Sequence, residues 1–235
     1  MTRRPIPPPS PHAGLDAQLA DGIRRMGLEP TAAQCRQFLS YMELLRQWAA
    51  KINLTAIDDP LDVIDRHFCD SLALWPALGL TSTTTIPSTS RLLDVGSGAG
   101  FPGVPLKIMA PEMSLTLLEP RQKRAAFLQV LIAELGCTQS QVATSRLAEL
   151  SGMPEAGYNW IVARGVGQFD DLIAQAIDLL APDGSFGFYL TEQQATSREL
   201  FKHRAGFEIM DYSYRLPLSG LHRRLILLKR QAVTG

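Results

Sequence analysis

The stretch LLDVGSGAGFPGVP, residues 92–105, constrains this chain more than any other. A buried apolar run ends at Asp94, Gly96, Gly98, Gly100 and Gly103 crowd the turn that follows, and Pro105 sits near the start of a helix. Glycine enters positive φ without strain and lets a ligand come against bare backbone. Proline in a first helical turn loses nothing, because its missing N–H has no partner there anyway. Strand, glycine turn and helix in this order form the ligand-binding corner of doubly wound α/β folds, at the carboxyl edge of a parallel sheet.

The sequence around this corner repeats the pattern. Short apolar runs at 91–95, 114–119, 141–145, 159–163 and 184–190 read as strands, and helical periodicity fills the intervals. One helix starts near Arg121, carries Phe127, Leu128, Leu131, Ile132 and Leu135 on one side, and stops at Gly136. Another carries Phe169, Leu172, Ile173, Ala176, Ile177 and Leu180 and ends before the turn APDGS. The tail segments FEIMDYSYRLP and RRLILLKR read as an antiparallel pair at the sheet edge.

The part before residue 80 is helical. Thr31 followed by Gln34 is a capping box, in front of an apolar stripe of Phe38, Met42, Leu45 and Ala49. A second helix is predicted over about residues 60–76, and Asn53 with Thr55 forms a turn before it. The expected division is a Pro-rich tail and first helix over 1–30, a helical segment over 31–80, a Ser/Thr-rich linker over 81–90, and a sheet domain over 91–235. The prolines at positions 5, 7, 8, 9 and 11 exclude a helix at the start, and no apolar run is long enough to span a bilayer, which places the chain in the cytoplasm. Cys35, Cys69 and Cys137 are too far apart for a zinc or dithiol pattern and read as reduced side chains. Lysine plus arginine equals aspartate plus glutamate, 23 each, so any polyanion-binding surface is a local patch.

Two cofactor classes use such a glycine corner. The GAGFPG segment fits the dinucleotide pattern, but Asp94 lies two positions before the first glycine, where a carboxylate repels a pyrophosphate. The same carboxylate can pair with the cationic amino group of a methionine moiety, or it can simply cap the helix. Glu119, at the end of the next strand, is placed to accept hydrogen bonds from ribose hydroxyls in either class. A dinucleotide oxidoreductase, or a nucleotide-binding module without catalysis, therefore remains an alternative.

The segments NLTAIDDPLDVIDRHFCDSL (53–72), LLDVGSGAGFPGVPL (92–106), EPRQKRAAFL (119–128), ARG (163–165) and HRRLILLKR (222–230) resemble the glucose-inhibited division protein B family. Its members are guanine-N7 methyltransferases of small-subunit (16S) ribosomal RNA, and the resemblance runs colinearly over about residues 34–230. It implies a class I methyltransferase (Rossmann-like) fold, a seven-stranded, mostly parallel sheet with helices on both faces and an N-terminal helical extension. It also implies S-adenosylmethionine as cofactor and ribosomal RNA, or the small subunit, as partner; the chain is expected to act as a monomer. By position, Gly96 and Phe101 match cofactor contacts in the loop, Leu147 and Ala148 match the pair flanking the adenine, and Arg164 matches an arginine at the end of the fourth strand. Two places depart from the family. Leu190, Thr191 and Glu192 stand where a Lys-Gly pair is common, and Gly165, Val166 and Gly167 follow the arginine where larger residues are usual.

Guanine N7 carries a free lone pair, so methylation there needs no general base. Arg164 and Phe101 are the candidates for holding the base, by hydrogen bonding to O6 and by stacking. Arg121, Lys123 and Arg124 form one basic group and His222, Arg223 and Arg224 a second, together the expected RNA-binding patch. Cations at a helix start oppose the macrodipole, which favours a partner for the first group. His67, beside Phe68, reads as a hydrogen-bonded core residue, and Trp48 as core. A methyltransferase acting on a small molecule or a protein is the competing function.

Overall fold

The computed structural model of the chain describes residues 14–49, 51, 52, 54, 57, 59–165, 169–191, 194 and 206–231. The Pro-rich tail, Asn53, Thr55, Val166, Gly167 and Glu192 lie outside them.

Seven strands make one sheet in the order β3-β2-β1-β4-β5-β7-β6. They are β1 (Arg91–Val95), β2 (Ser114–Leu118), β3 (Ser140–Ala143), β4 (Tyr158–Arg164), β5 (Leu180–Thr191), β6 (Phe207–Arg215) and β7 (His222–Arg230). β1 to β5 run parallel, while β7 pairs antiparallel with both β5 and β6. Period-two alternation decides which face each residue serves. Leu92, Leu115, Leu117, Val162, Leu225 and Leu227 enter one apolar cluster, and Leu93, Leu118, Ile161, Ala163, Ile226 and Leu228 enter the other.

The first face is covered by α1 (Leu15–Arg25), α2 (Ala32–Ala49), α6 (Gly103–Met109) and α7 (Gln122–Glu134), together with the run from residue 60 to 77; the second is covered by α8 (Phe169–Ala176). The capping box forms as expected: the Gln34 N–H donates to the Thr31 hydroxyl at 3.2 Å, and the Thr31 N–H to the Gln34 side chain at 2.8 Å. The N-terminal helices do not build a core of their own, because Phe38, Tyr41, Phe68 and Trp75 share one cluster with the sheet. Trp48 is only half-buried and packs edge-on to Phe127.

The single helix expected over 60–76 is broken. It consists of α3 (Pro60–Val63), a π-helical stretch at Ile64–Cys69, α4 (Asp70–Leu72) and α5 (Leu74–Ala77). Asp59 caps its start, accepting from the N–H groups of Leu61 and Asp62. The buried carboxylate of Asp65 accepts the N–H groups of Leu218 and Ser219 at 2.8 and 3.0 Å, tying the turn between β6 and β7 to the π stretch. β5 begins at Leu180, ahead of the APDGS turn, and its pairing with β4 slips between Tyr158 and Trp160.

Candidate active site

Strand order reverses direction between β1 and β4, and the loops leaving their carboxyl ends converge there. The glycine loop takes the shape its composition predicts, with φ of 74° at Gly96, 58° at Gly98 and 96° at Gly100. Two of these glycines face outward: Gly96 is exposed, and a Cβ at Gly98 would meet nothing nearer than 3.8 Å. Others are demanded by packing. A Cβ at Gly100 would lie 2.5 Å from the Tyr41 hydroxyl, and one at Gly103 2.8 Å from Asp94 Oδ2.

The two acidic strand ends sit beneath this loop. Glu119 is buried and accepts the N–H of Gly98 at 3.0 Å and that of Arg121 at 2.9 Å, one on each oxygen. Each oxygen keeps a second lone pair. Asp94 is fully buried, and its Oδ2 accepts the Gly103 N–H at 3.0 Å. Its Oδ1 has no hydrogen-bond partner among the described residues, and burial pushes its carboxyl up to about 7 against the opposing pull of the Gly103 N–H. Asp94 thus caps the start of α6 and holds the glycine loop through Gly103. Leu147, half-buried, and Ala148, exposed, lie on a 3₁₀ turn beyond β3. Outward-facing glycines, an acidic floor with spare lone pairs and this apolar turn fit the amino-acid, ribose and adenine parts of S-adenosylmethionine.

A second cluster stands at the ends of β4 and β5. Phe101 is sandwiched between Tyr41 (ring centroids 5.2 Å, 17°) and His67 (4.4 Å, 14°), with the Arg164 guanidinium carbon 4.8 Å from its ring centre. Phe101 is 4% exposed, so its ring orders the cluster rather than offering a free face for stacking. Arg164 donates from Nη1 to the Arg66 carbonyl (3.3 Å) and to Asp70 Oδ2 (3.2 Å), and its Nη2 lies 3.1 Å from His67 Nδ1. An arginine only donates, so His67 Nδ1 accepts here. Burial, and then the charges of Arg164 and Arg66, hold the His67 imidazole down at about 3, so it is neutral at physiological pH. Asp70 is the hub: besides Arg164 it accepts the Tyr214 hydroxyl at 2.7 Å and lies 3.8 Å from Arg223 Nε. Around these groups is a cavity of about 200 Å³, with Arg66, Tyr189, Leu190, Thr191 and Gln194 in its wall.

The two basic groups flank this edge from opposite sides. Arg121 and Lys123 are exposed, and Arg124 reaches to within 3.9 Å of a Cβ built at Gly98. Arg223 and Arg224 separate, because neighbours on a strand face opposite ways. Arg223 turns into the cavity with its side chain 14% exposed, whereas Arg224 forms a two-pronged ion pair with Asp211 at 2.9 and 2.7 Å. The sequence reading singled out neither Asp70, Arg66 nor Tyr214 for the site.

The family model GidB, described as rRNA small subunit methyltransferase G, matches residues 34–217. The chain belongs to that family. Relatives named ribosomal RNA small subunit methyltransferase G include one from Ralstonia nicotianae, 38% identical over 172 residues (73% of this chain, 76% of the relative). Another, from Myxococcus xanthus, is 33% identical over 226 residues (94% of this chain, 99% of the relative). Among solved structures, a SAM-dependent methyltransferase from Aquifex aeolicus superposes with a TM-score of 0.51 at 14% identity, covering 74% of this chain and 95% of that one. The fibrillarin/Nop5p complex gives 0.53 at 18% identity, covering 70% and 84%. Both share the sheet fold, which in the GidB chain carries the cavity and the glycine loop on one edge. No helix among the described residues of the GidB chain is long and apolar enough to cross a membrane.

Proposed function

We propose that this chain transfers a methyl group to N7 of a guanine in the 16S RNA of the small ribosomal subunit, acting as a monomer in the cytoplasm. When bound, S-adenosylmethionine supplies a methyl carbon on a sulfonium, already activated for in-line displacement. The chain's own part is to bind and align. Gly96 and Gly98 offer bare backbone, Glu119 offers carboxylate lone pairs to the ribose, Leu147 and Ala148 flank the adenine, and Asp94 and Gly100 hold the loop in shape. Residues 31–80 act as the cover that supplies one wall of the acceptor cavity, and the sheet domain from residue 91 supplies the rest.

The observation that carries the reading is that no described residue lining the cavity is placed to act as a base. His67 is held neutral down to about pH 3 with its Nδ1 engaged by Arg164, and the Asp70 carboxylate is engaged by Arg164 and Tyr214. An acceptor that must lose a proton would be poorly served here, and guanine N7 loses none. Arg164, at the cavity, can donate to guanine O6, so that the gain comes from alignment. The exposed Arg121 and Lys123, with Arg124, give RNA phosphates a landing surface.

The test is chemical. Small-subunit RNA methylated by the protein, then reduced and treated with aniline, should break at the labelled nucleotide, because a 7-methylguanosine has a weakened glycosidic bond. An intact strand that still carries the label would reject N7 as the acceptor.

A further inference from the structure

The acceptor cavity carries more positive charge than a neutral purine calls for. Arg66, Arg164 and Arg223 all line it, against one carboxylate, Asp70, among its described lining residues. His67 adds no charge at physiological pH. Arg164 and Arg223 are both committed to Asp70. Arg66 is not. Its ion pair with Asp62 is 3.4 Å long and its side chain 37% exposed, while its Nε is buried with no hydrogen-bond partner among the described residues. A buried guanidinium N–H left without an acceptor is costly, and the planar guanidinium fork matches the geometry of phosphate.

We infer that the cavity takes the target nucleotide together with its own phosphate, and that Arg66, whose partly exposed guanidinium is in the cavity wall, holds a phosphate oxygen. This rests on the ribosomal RNA methyltransferase reading and narrows it. A guanosine still stacked in an A-form helix keeps N7 in a deep, narrow groove that side chains do not enter. A cavity of about 200 Å³ that holds both base and phosphate therefore selects a nucleotide that is unpaired or swung out of its stack. Arg223, also in the cavity wall, adds attraction for the anion without being released from Asp70. The recognised chemistry is that of a guanosine monophosphate, and inorganic phosphate shares only its anionic part.

Calorimetry on the full-length protein saturated with S-adenosylhomocysteine tests this, using guanosine monophosphate, guanosine and inorganic phosphate as separate probes. The wild type should bind the monophosphate about tenfold or more tightly than guanosine, the scale of one charge-assisted hydrogen bond. Arg66→Ala should erase that preference while keeping guanosine affinity, and Arg66→Lys should restore part of it. Retained guanosine affinity also shows that the variant is folded. Equal binding of monophosphate and guanosine by the wild type, or a preference that survives Arg66→Ala, overturns the inference. So does inorganic phosphate that binds as tightly as the monophosphate, since the site would then be one for free anions. A wild type that methylates ribosomal RNA yet shows no phosphate preference loses the subsite and keeps the function. A preference that depends on Arg66 in a protein that never methylates ribosomal RNA does the reverse.

Discussion

Replacing Asp70 by alanine should destabilise the fold by about 3–5 kcal/mol, the range for removing one partner from a buried ion pair. The carboxylate is 5% exposed and serves three groups at once: Arg164 at 3.2 Å, Tyr214 at 2.7 Å and Arg223 at 3.8 Å. Its loss leaves two guanidiniums, 18% and 14% exposed, without their shared counter-charge, and a buried phenol without its acceptor. The phenol alone accounts for about 1.5–3 kcal/mol, the range for a hydrogen bond to a charged group, and Tyr214→Phe isolates that part. Asp70→Asn keeps an oxygen for Tyr214 but drops the charge, and should fall between the two. Urea unfolding at neutral pH reads all three as midpoint shifts at unchanged slope. A double-mutant cycle with Arg164→Ala then separates the pair from the packing. If Asp70→Ala unfolds within 1 kcal/mol of the wild type, the arginines are satisfied by water and Asp70 is not the hub described here.

Glu119→Ala should weaken S-adenosylhomocysteine binding by about 1.5–3 kcal/mol in calorimetry, and an unchanged affinity would remove Glu119 from the cofactor site. Asp94 sits at about 7 when folded, so from about pH 4 to 7 the folded chain holds a proton that the unfolded chain has lost. Stability from this group is therefore greatest below that window and falls by up to about 1.4 kcal/mol per pH unit on rising through it, a slope that Asp94→Asn should lack in urea unfolding at pH 5 and 7. His67 stays neutral down to about 3, so single-turnover rates should be flat from about pH 6.5 to 9 and His67→Gln should keep most of the chemical rate. A rate that climbs with pH and collapses in that variant would restore a base to the mechanism. Lys123→Ala should flatten the salt dependence of RNA binding by nearly one phosphate contact, whereas Arg224→Ala, already paired with Asp211, should change it little; equal effects would mean that the ion pair opens on RNA.

The parts of the site that were legible in the sequence are local ones. The glycine corner, the Thr31–Gln34 cap and the strand over 91–95 that carries Asp94 are each written within a few consecutive residues, and they fold as expected. His67 was legible as a packed residue because it neighbours Phe68, although its stacking partner, Phe101, is far along the chain. Asp70 was not legible, since its three partners come from β4, β6 and β7 and only the sheet order brings them together. Arg223 and Arg224 stand side by side in the sequence like a single patch, and strand alternation divides them between the cavity and Asp211. Asp94 fits both binding and capping in sequence, and only the folded chain shows its contact with Gly103. Helical periodicity also assumed a uniform turn from 60 to 76, which cannot register a π-helical stretch.

That stretch makes the number of residues part of the site. From Ile64 to Cys69 the chain spends one residue more per turn than an α-helix allows, and Asp65, His67 and Asp70 all end up turned toward the sheet side of the molecule. Removing a single residue between Asp65 and Asp70 would let the segment relax into an ordinary helix, in which five steps of about 100° cover nearly the arc of the six tighter-angled π steps, so that Asp70 keeps its direction and the residues in between change theirs. Asp65 would keep its grip on the turn at Leu218 and Asp70 its grip on Arg164, Tyr214 and Arg223, but His67 between them would lose its place against Phe101 and Arg164. Across related chains, this short segment should therefore vary in letters long before it varies in length.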